Sequence, residues 1–289
     1  MTPASTPIRW PAETIWQAVS PHLSGFTVEV LPAIDSSNTE LLRRFRSGRP
    51  EPTLLVAEHQ TAGRGRLGRQ WQSTRADSLT FSLGLTLQPA DWSGLSLVVG
   101  ISLAESLDPA QSAPFHIGLK WPNDLWLCAP DGERKLGGIL VETASGEGQR
   151  HVVIGVGINI HALTLASAPA AGSGDAAGPA PSSVPPGALD ALLPGIDAAQ
   201  ALLQVVPPLV RAVQAFEQFG FAPFQARFAR RDVLAGRTVQ LFDGAAPLEG
   251  SAHGVAENGA LRVHTAAGMK EITSSEVSVR PAAKDPRAC

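Results

Sequence analysis

Cysteine is almost absent. The 289 residues contain two, Cys128 and Cys289, and the second is the last residue. Two thiols at that spacing make neither a disulfide framework nor a metal-binding cluster, and they point to a reducing cytoplasm. Long apolar runs are absent too: nothing reaches the roughly 18 residues a spanning helix needs. The start, MTPASTPIRWPAETIWQ, lacks a basic segment leading into an apolar one, so it does not read as a secretory signal. Nor is positive charge in excess. A formal net charge of -3 argues against a general nucleic-acid coat while leaving room for a local basic site. No internal repeat is visible. The remaining composition is that of an ordinary globular protein, in a length that suits one large domain and a small appended one.

Periodicity supplies the elements. Residues 12–24 read as a short helix with Ile15, Trp16, Val19 and Leu23 on one side, and 26–30 as a strand. Ser37-Asn38-Thr39-Glu40 is a capping-box pattern that opens a helix ending at Gly48. Residues 53–57 form a short apolar strand. Residues 78–87 alternate fully, with Leu79, Phe81, Leu83, Leu85 and Leu87 against Ser78, Thr80, Ser82, Gly84 and Thr86, which predicts a strand with one buried face. A helix over 93–107 precedes strands at 115–121, 124–128, 136–143 and 151–158, whose short links favour antiparallel pairing. Residues 162–188 are rich in Ala, Gly, Pro and Ser, which predicts a mobile insertion. Helices over 197–217 and 221–231 follow, and then short glycine-punctuated strands between 236 and 280, as in a small barrel.

Three segments can carry chemistry. Gly63-Arg64-Gly65-Arg66-Leu67-Gly68-Arg69-Gln70-Trp71 combines backbone freedom with forked donors suited to carboxylate and phosphate oxygens. It reads as an anion clamp or as a solvated basic turn; it is neither a P-loop nor a dinucleotide fingerprint. Lys120-Trp121-Pro122-Asn123-Asp124, followed by Lys135-Leu136-Gly137-Gly138, sets lysines, an amide and a carboxylate near strand junctions, where turn chemistry is the alternative. Val152 to Ile160 is a buried strand with two glycines that ends in a polar Asn159, either a strand-end cap or an amide aimed at a ligand.

Taken in order, AIDSSNTELL, AEHQTAGRGRLGRQW, KWPND, KLGGILVE and VIGVGINI resemble the biotin–protein ligases, and the likeness continues through FGFAPFQARF to the closing EVSVR. The resemblance implies an α+β fold. A mixed β-sheet catalytic core of the class II aminoacyl-tRNA-synthetase type (1–234, with the insertion at 162–188) precedes a small SH3-like β-barrel (235–289). It implies biotin contacts at Ser36, Ser37, Asn38, Gln60, Arg64, Gly65, Arg66 and Lys135. ATP or adenylate contacts are implied at Arg66, Arg69, Trp71, Asn123 and Asn159, and catalytic roles for Arg64, Arg66, Lys135 and Asp124.

The implied reaction is ATP-dependent formation of biotinyl-5′-AMP, followed by transfer to a lysine of a biotin carboxyl carrier protein, in the cytoplasm. Biotin and ATP are the substrates. Mg²⁺ accompanies ATP without a metal site of the protein's own, and either a homodimer or a monomer is compatible. Many relatives begin with a DNA-binding domain; with about 25 residues before the first core strand, no DNA binding and no membrane contact are expected. The competing readings are a lipoate- or octanoyl-protein ligase, which needs a long apolar tunnel, and a nonenzymatic biotin sensor.

Overall fold

The computed structural model describes residues 7–111, 114–146, 148–162, 184–242, 248–273 and 278–281. The first sheet comprises β1 (Thr27–Leu31), β2 (Thr53–Ala57), β3 (Ser78–Thr86), β4 (His116–Lys120), β5 (Asp124–Ala129), β6 (Gly132–Gly146) and β7 (Gln149–Asn159), in the order β1-β2-β3-β7-β6-β5-β4. Its strands pair antiparallel except β1 with β2. That parallel pair is joined through helix α2 (Ser37–Arg46), the kind of crossover that parallel strands require. After α4 (Ala198–Phe219) and α5 (Gln225–Ala229), strands β8 (Thr238–Phe242), β9 (Leu248–Val255), β10 (Leu261–Thr265), β11 (Gly268–Ile272) and β12 (Ser278–Pro281) form a second, wholly antiparallel sheet, ordered β11-β10-β9-β8-β12. The expected mixed α+β core and small all-β C-terminal unit are both present.

Strand alternation divides the first sheet into two faces. Leu54 and Val56 of β2, with Val152 and Ile154 of β7, join the main core beneath α1 (Ala12–Val19), α3 (Leu95–Leu107) and α4. Leu55 and Val153, one residue out of phase, point the other way and meet Leu41 and Leu42 of α2 in a smaller core. Helix α3 is apolar nearly all round and accordingly buried nearly all round. A capping box between Asp197 and Gln200 opens α4, and its chain turns at Gly220 (φ 67°).

Four details depart from the sequence expectations. Ser36, not Ser37, caps α2: its side chain accepts from the Thr39 amide, and Glu40 turns instead to Arg43 and Arg44. Strand β3 is buried on both faces except at its last residue. Its polar row is covered because it lies under α2, and the hydroxyls find internal partners, Thr80 donating to the Ala57 carbonyl at 2.6 Å. The end of the expected insertion is ordered: Lys135 N donates to Pro185 O and Gly187 N to Lys135 O, both at 2.8 Å, while 163–183 lie outside the described residues. Finally, Cys128 is disulfide-bonded, and the chain's other cysteine, Cys289, falls outside the described residues. Cysteine usage therefore no longer argues for a reducing compartment.

The free edge of β4 is covered by the segment after α5. Leu119 exchanges backbone hydrogen bonds with Arg231 and Val233, which shields an edge that would otherwise be open to pairing. Arg231 anchors this cover. Its guanidinium, 3% exposed, donates to Asp108 Oδ2 at 3.2 Å and to the Ile117 carbonyl at 3.0 Å. Removing one member of a buried pair leaves the other charge uncompensated. We therefore expect Asp108→Ala to cost about 3–5 kcal/mol of stability in urea unfolding.

Candidate functional site

Strand register builds the floor of a cleft on the α2 side of the first sheet. Direct cross-strand pairing sets Thr80, Gly157, Gly138, Asp124 and Lys120 in one row across β3, β7, β6, β5 and β4. Paired residues share a face, so Asp124 and Lys120 stand beside a floor of two glycines. Two residues along, Ser82, Gly155 and Leu140 form the next row on the same face. Bare backbone is required at two of these positions. A Cβ on Gly155 would lie 2.2 Å from Asn38 Oδ1, and one on Gly157 would lie 2.4 Å from the Trp71 ring.

One end of the cleft is neutral and hydrogen-bonding. Asn38 donates Nδ2 to Glu142 Oε2 at 2.9 Å and to Leu140 O at 3.2 Å, which turns its Oδ1 toward Ser82. Ser82 Oγ lies 2.6 Å from that oxygen and 2.7 Å from Ser37 Oγ. Ser37 in turn meets Gln60 Oε1, through its amide at 2.8 Å and its hydroxyl at 3.0 Å. Between two carbonyl acceptors there are thus three oxygen–oxygen contacts and two hydroxyl protons. Every arrangement that satisfies two of the contacts sends the Ser37 proton inward. Toward the cleft Ser37 therefore offers lone pairs, whereas the Gln60 Nε2 protons stay available. A neutral ligand group with N–H donors next to a carbonyl fits that polarity.

The other end is cationic. The glycine-arginine segment folds back on itself, with Trp71 N donating to Gly63 O at 2.9 Å and Gly65 N to Arg69 O at 2.7 Å. At its tip Leu67 and Gly68 adopt left-handed backbone (φ 55° and 71°). Arg64 reaches Glu142 Oε1 at 3.1 Å, and Arg66 donates to Asn123 Oδ1 at 3.2 Å. Lys135 Nζ donates to Asp124 Oδ1 at 2.7 Å, while Lys120 Nζ stands 3.9 Å from Oδ2 of the same carboxylate. Burial, with Arg69 nearby, lowers the proton affinity of Arg66 against the opposing pull of Asp124. Burial likewise pushes the Lys120 ammonium down to about 8; Asp124 opposes this, and Lys135, Arg69 and Arg66 reinforce it. Positive charge is thus concentrated at this end of the cleft, with Lys120 and Lys135 sharing the Asp124 carboxylate.

The sequence-predicted residues converge here. Ser36, Ser37, Asn38 and Gln60 line the neutral end; Arg64, Gly65, Arg66, Arg69 and Trp71 form the overhanging loop; Asn123, Asp124 and Lys135 line the far wall. Asn159 stands off the cleft. It is 5% exposed and donates Nδ2 to the carbonyls of Lys135 and Gly187, so it fixes the backbone behind Lys135. Sequence reasoning placed Lys120 in a segment able to carry chemistry without assigning it a role, and did not single out Ser82, Phe81, Glu142 or Val279. Val279, on β12, brings the C-terminal sheet to the rim of the cleft. Glu142 sat inside a quoted motif and Ser82 in the alternating strand, but both looked like ordinary strand chemistry.

A mixed sheet bearing such a two-ended cleft, followed by a small antiparallel sheet, defines a protein of the biotin and lipoate ligase class. Residues 30–159 match the Biotin/lipoate A/B protein ligase family, and 235–280 match the Biotin protein ligase C terminal domain. The Bifunctional ligase/repressor BirA of Escherichia coli K12 is 35% identical over 271 residues, covering 91% of this chain and 77% of that one. A biotin–[acetyl-CoA-carboxylase] ligase of Paracoccus denitrificans is 30% identical, covering 86% and 98%. Among solved structures, a biotin protein ligase from Aquifex aeolicus in complex with biotin and ATP superposes with a TM-score of 0.68 at 28% identity, covering 88% and 99%. The chain belongs to the biotin protein ligase family.

Gly155→Ala tests the neutral end. Its added methyl must displace Asn38, at an overpacking cost of about 1–3 kcal/mol. We expect biotin affinity, measured by titration calorimetry, to fall while the melting temperature drops modestly.

Proposed function

We propose that the protein is an ATP-dependent biotin–protein ligase that forms biotinyl-5′-AMP and then transfers biotin to a lysine of a biotin carboxyl carrier protein. The observation that carries this reading is the juxtaposition, in one cleft, of a neutral donor–acceptor end with a cationic end. Biotin has the complementary form: a ureido ring at one end and a carboxylate at the other. The ureido ring meets Ser37 and Gln60, with Ser36 beside them and Asn38 acting on Ser37 from behind through Ser82. Arg64, Gly65, Arg66 and Lys135 receive the carboxylate, and Arg66, Arg69, Trp71 and Asn123 the nucleotide. Trp71 supplies an independent sign of fit, since its Nε1 is buried without a hydrogen-bond partner while the residue lines the cleft.

In the first step a biotin carboxylate oxygen attacks the α-phosphorus of ATP, an O–P bond forms, and pyrophosphate leaves. Two anions must approach, so the difficulty is electrostatic, and preplaced cations offset it. Among the described residues no His, Cys, Asp or Glu cluster could hold a metal ion, and Asp124 is already bonded to Lys135. Mg²⁺ accompanying ATP would be carried mainly on the phosphate oxygens of the nucleotide. In the second step the acceptor amine attacks the anhydride carbonyl and AMP departs, with Asp124 orienting the amine.

We divide the chain into a catalytic domain (1–234) and a C-terminal domain (235–289), and place the reaction in the cytoplasm, where ATP is available. No described helix is long and apolar enough to cross a membrane. A lipoate ligase is less well supported: Ser37, Ser82, Asn38 and Gln60 present polar partners that a linear acyl chain would leave unused.

Incubation with ATP, biotin and a carboxyl-carrier domain should add the mass of one biotin to the carrier in intact-mass measurement. No gain, or a gain with lipoate instead, overturns the assignment. Arg66→Ala should slow adenylate formation by about 10²-fold, the scale of losing one preplaced donor to a developing charge; unchanged pyrophosphate exchange would remove Arg66 from this role.

A further inference from the structure

The transfer step needs a base. A free lysine side chain has a pKa near 10.4, so the acceptor arrives mainly as an ammonium, which has no lone pair for attack. Asp124 is the carboxylate of the cleft, and its two oxygens are not equivalent. Oδ1 accepts from Lys135 Nζ at 2.7 Å, leaving Oδ2 as the position for an incoming ammonium. Lys120 Nζ lies 3.9 Å from that oxygen, too far for a hydrogen bond and close enough to receive a proton from a group held there.

We propose that Lys120, in its neutral form, accepts the proton of the carrier lysine in the transfer step. This rests on the ligase reading above. The placement follows from register, since Lys120 and Asp124 are directly paired across β4 and β5 on the cleft face.

The groups around Lys120 explain why it can serve. From β5 it faces Asp124 and, at 5.8 Å, the Trp126 ring; from β6 it faces Lys135; from the glycine-arginine loop, Arg66 and Arg69. Helices α3 and α5 contribute Ser96, Leu97, Gly100 and Phe228 to the adjoining wall, none of them charged. Three cations and one carboxylate therefore act on a nearly buried ammonium. At an effective dielectric near 20, each charge at close range acts with a few kcal/mol. Arginines hold their protons at any ordinary pH, and Lys135 is bonded to the carboxylate, so Lys120 is the cation that releases its proton most readily. Its pKa of about 8 agrees.

The step balances. The acceptor ammonium gives one proton to the Lys120 amine, and the freed lone pair attacks the carbonyl carbon of the mixed anhydride. The C–N bond forms as the C–O bond to phosphate breaks, and AMP leaves with that bond's electrons. The second proton of the amide nitrogen departs on the leaving phosphate.

Lys120→Arg keeps the charge and removes the base, while Lys120→Met removes both. Each half-reaction is measured alone: pyrophosphate exchange for adenylation, and single-turnover transfer from preformed biotinyl-5′-AMP for the second step, across pH 6–10. The wild-type transfer rate should climb through a limb near pH 8 as Lys120 loses its proton. In Lys120→Arg that limb disappears, and the ratio of transfer to adenylation rate falls about 10²-fold, the usual scale for general-base catalysis. Lys120→Met loses the same limb. A limb near pH 8 persisting in Lys120→Arg, or an arginine variant that transfers as fast as wild type, overturns the proposal and leaves Lys120 a phosphate-binding charge. Wild-type protein that forms no adenylate would instead defeat the ligase reading.

Discussion

A single stretch of bare sheet backbone is the constraint on which the cleft depends. Gly155 and Gly157 sit where a side chain would collide with Asn38 and with Trp71. Take either glycine away and an element above the sheet must lift: α2 through Asn38, or the arginine loop through Trp71. The sheet is thus a template whose emptied positions let a helix and a loop descend onto it from opposite sides. Glycine in a strand interior is usually a weakness, and here it is the means by which the two ends of the cleft reach the same floor.

From that floor two coupled systems rise. Glu142, on β6, uses one carboxylate oxygen for Arg64 of the loop and the other for Asn38 of α2. The cationic end and the neutral end are therefore joined through one side chain, and the orientation of the Asn38 amide, hence the proton direction at Ser37, depends on an ionised carboxylate. Hydrogen-bond chains of this kind are decided by their ends. Had Glu142 been a donor, Asn38 could turn over and the pocket would present a different face to a ligand.

Much of this was legible in the sequence, because it is local. The glycine-arginine segment, the alternation of β3 and the strand order from β4 to β7 follow from composition, period and link length. What escaped is what register creates. Lys120 and Asp124 are four residues apart in a turn-rich stretch, and only the β4–β5 pairing makes them neighbours on one face. Ser82 read as the solvent side of a half-buried strand, since period alone does not say what covers the polar face. Asn159 shows the converse: a polar residue at a strand end beside two glycines read as a ligand contact, yet its amide is spent on two backbone carbonyls that sequence cannot bring together. The ordered return of 184–188 beside Lys135 is similar, for its partner lies some fifty residues upstream.

The charge balance of the cleft explains why such an arrangement is tolerable at all. Arg64 and Lys135 each find a carboxylate at hydrogen-bonding distance, Arg66 reaches the Asn123 amide oxygen, and Lys120 stands 3.9 Å from the far oxygen of the Asp124 that Lys135 holds. Placing like charges together out of water works against folding. The offset comes from elsewhere in the same fold. The main core runs continuously under the sheet from α1 to the C-terminal strands, and the edge behind β4 is closed by the buried Arg231–Asp108 pair. A framework stabilised remotely can hold these four cations beside two carboxylates, Glu142 and Asp124, and that excess of positive charge is what an anionic substrate relieves on entering. The same imbalance distinguishes the cations from one another. Those that are always charged can bind anions throughout a catalytic cycle, while Lys120, 3.9 Å from a carboxylate oxygen, is left with a proton it can give up.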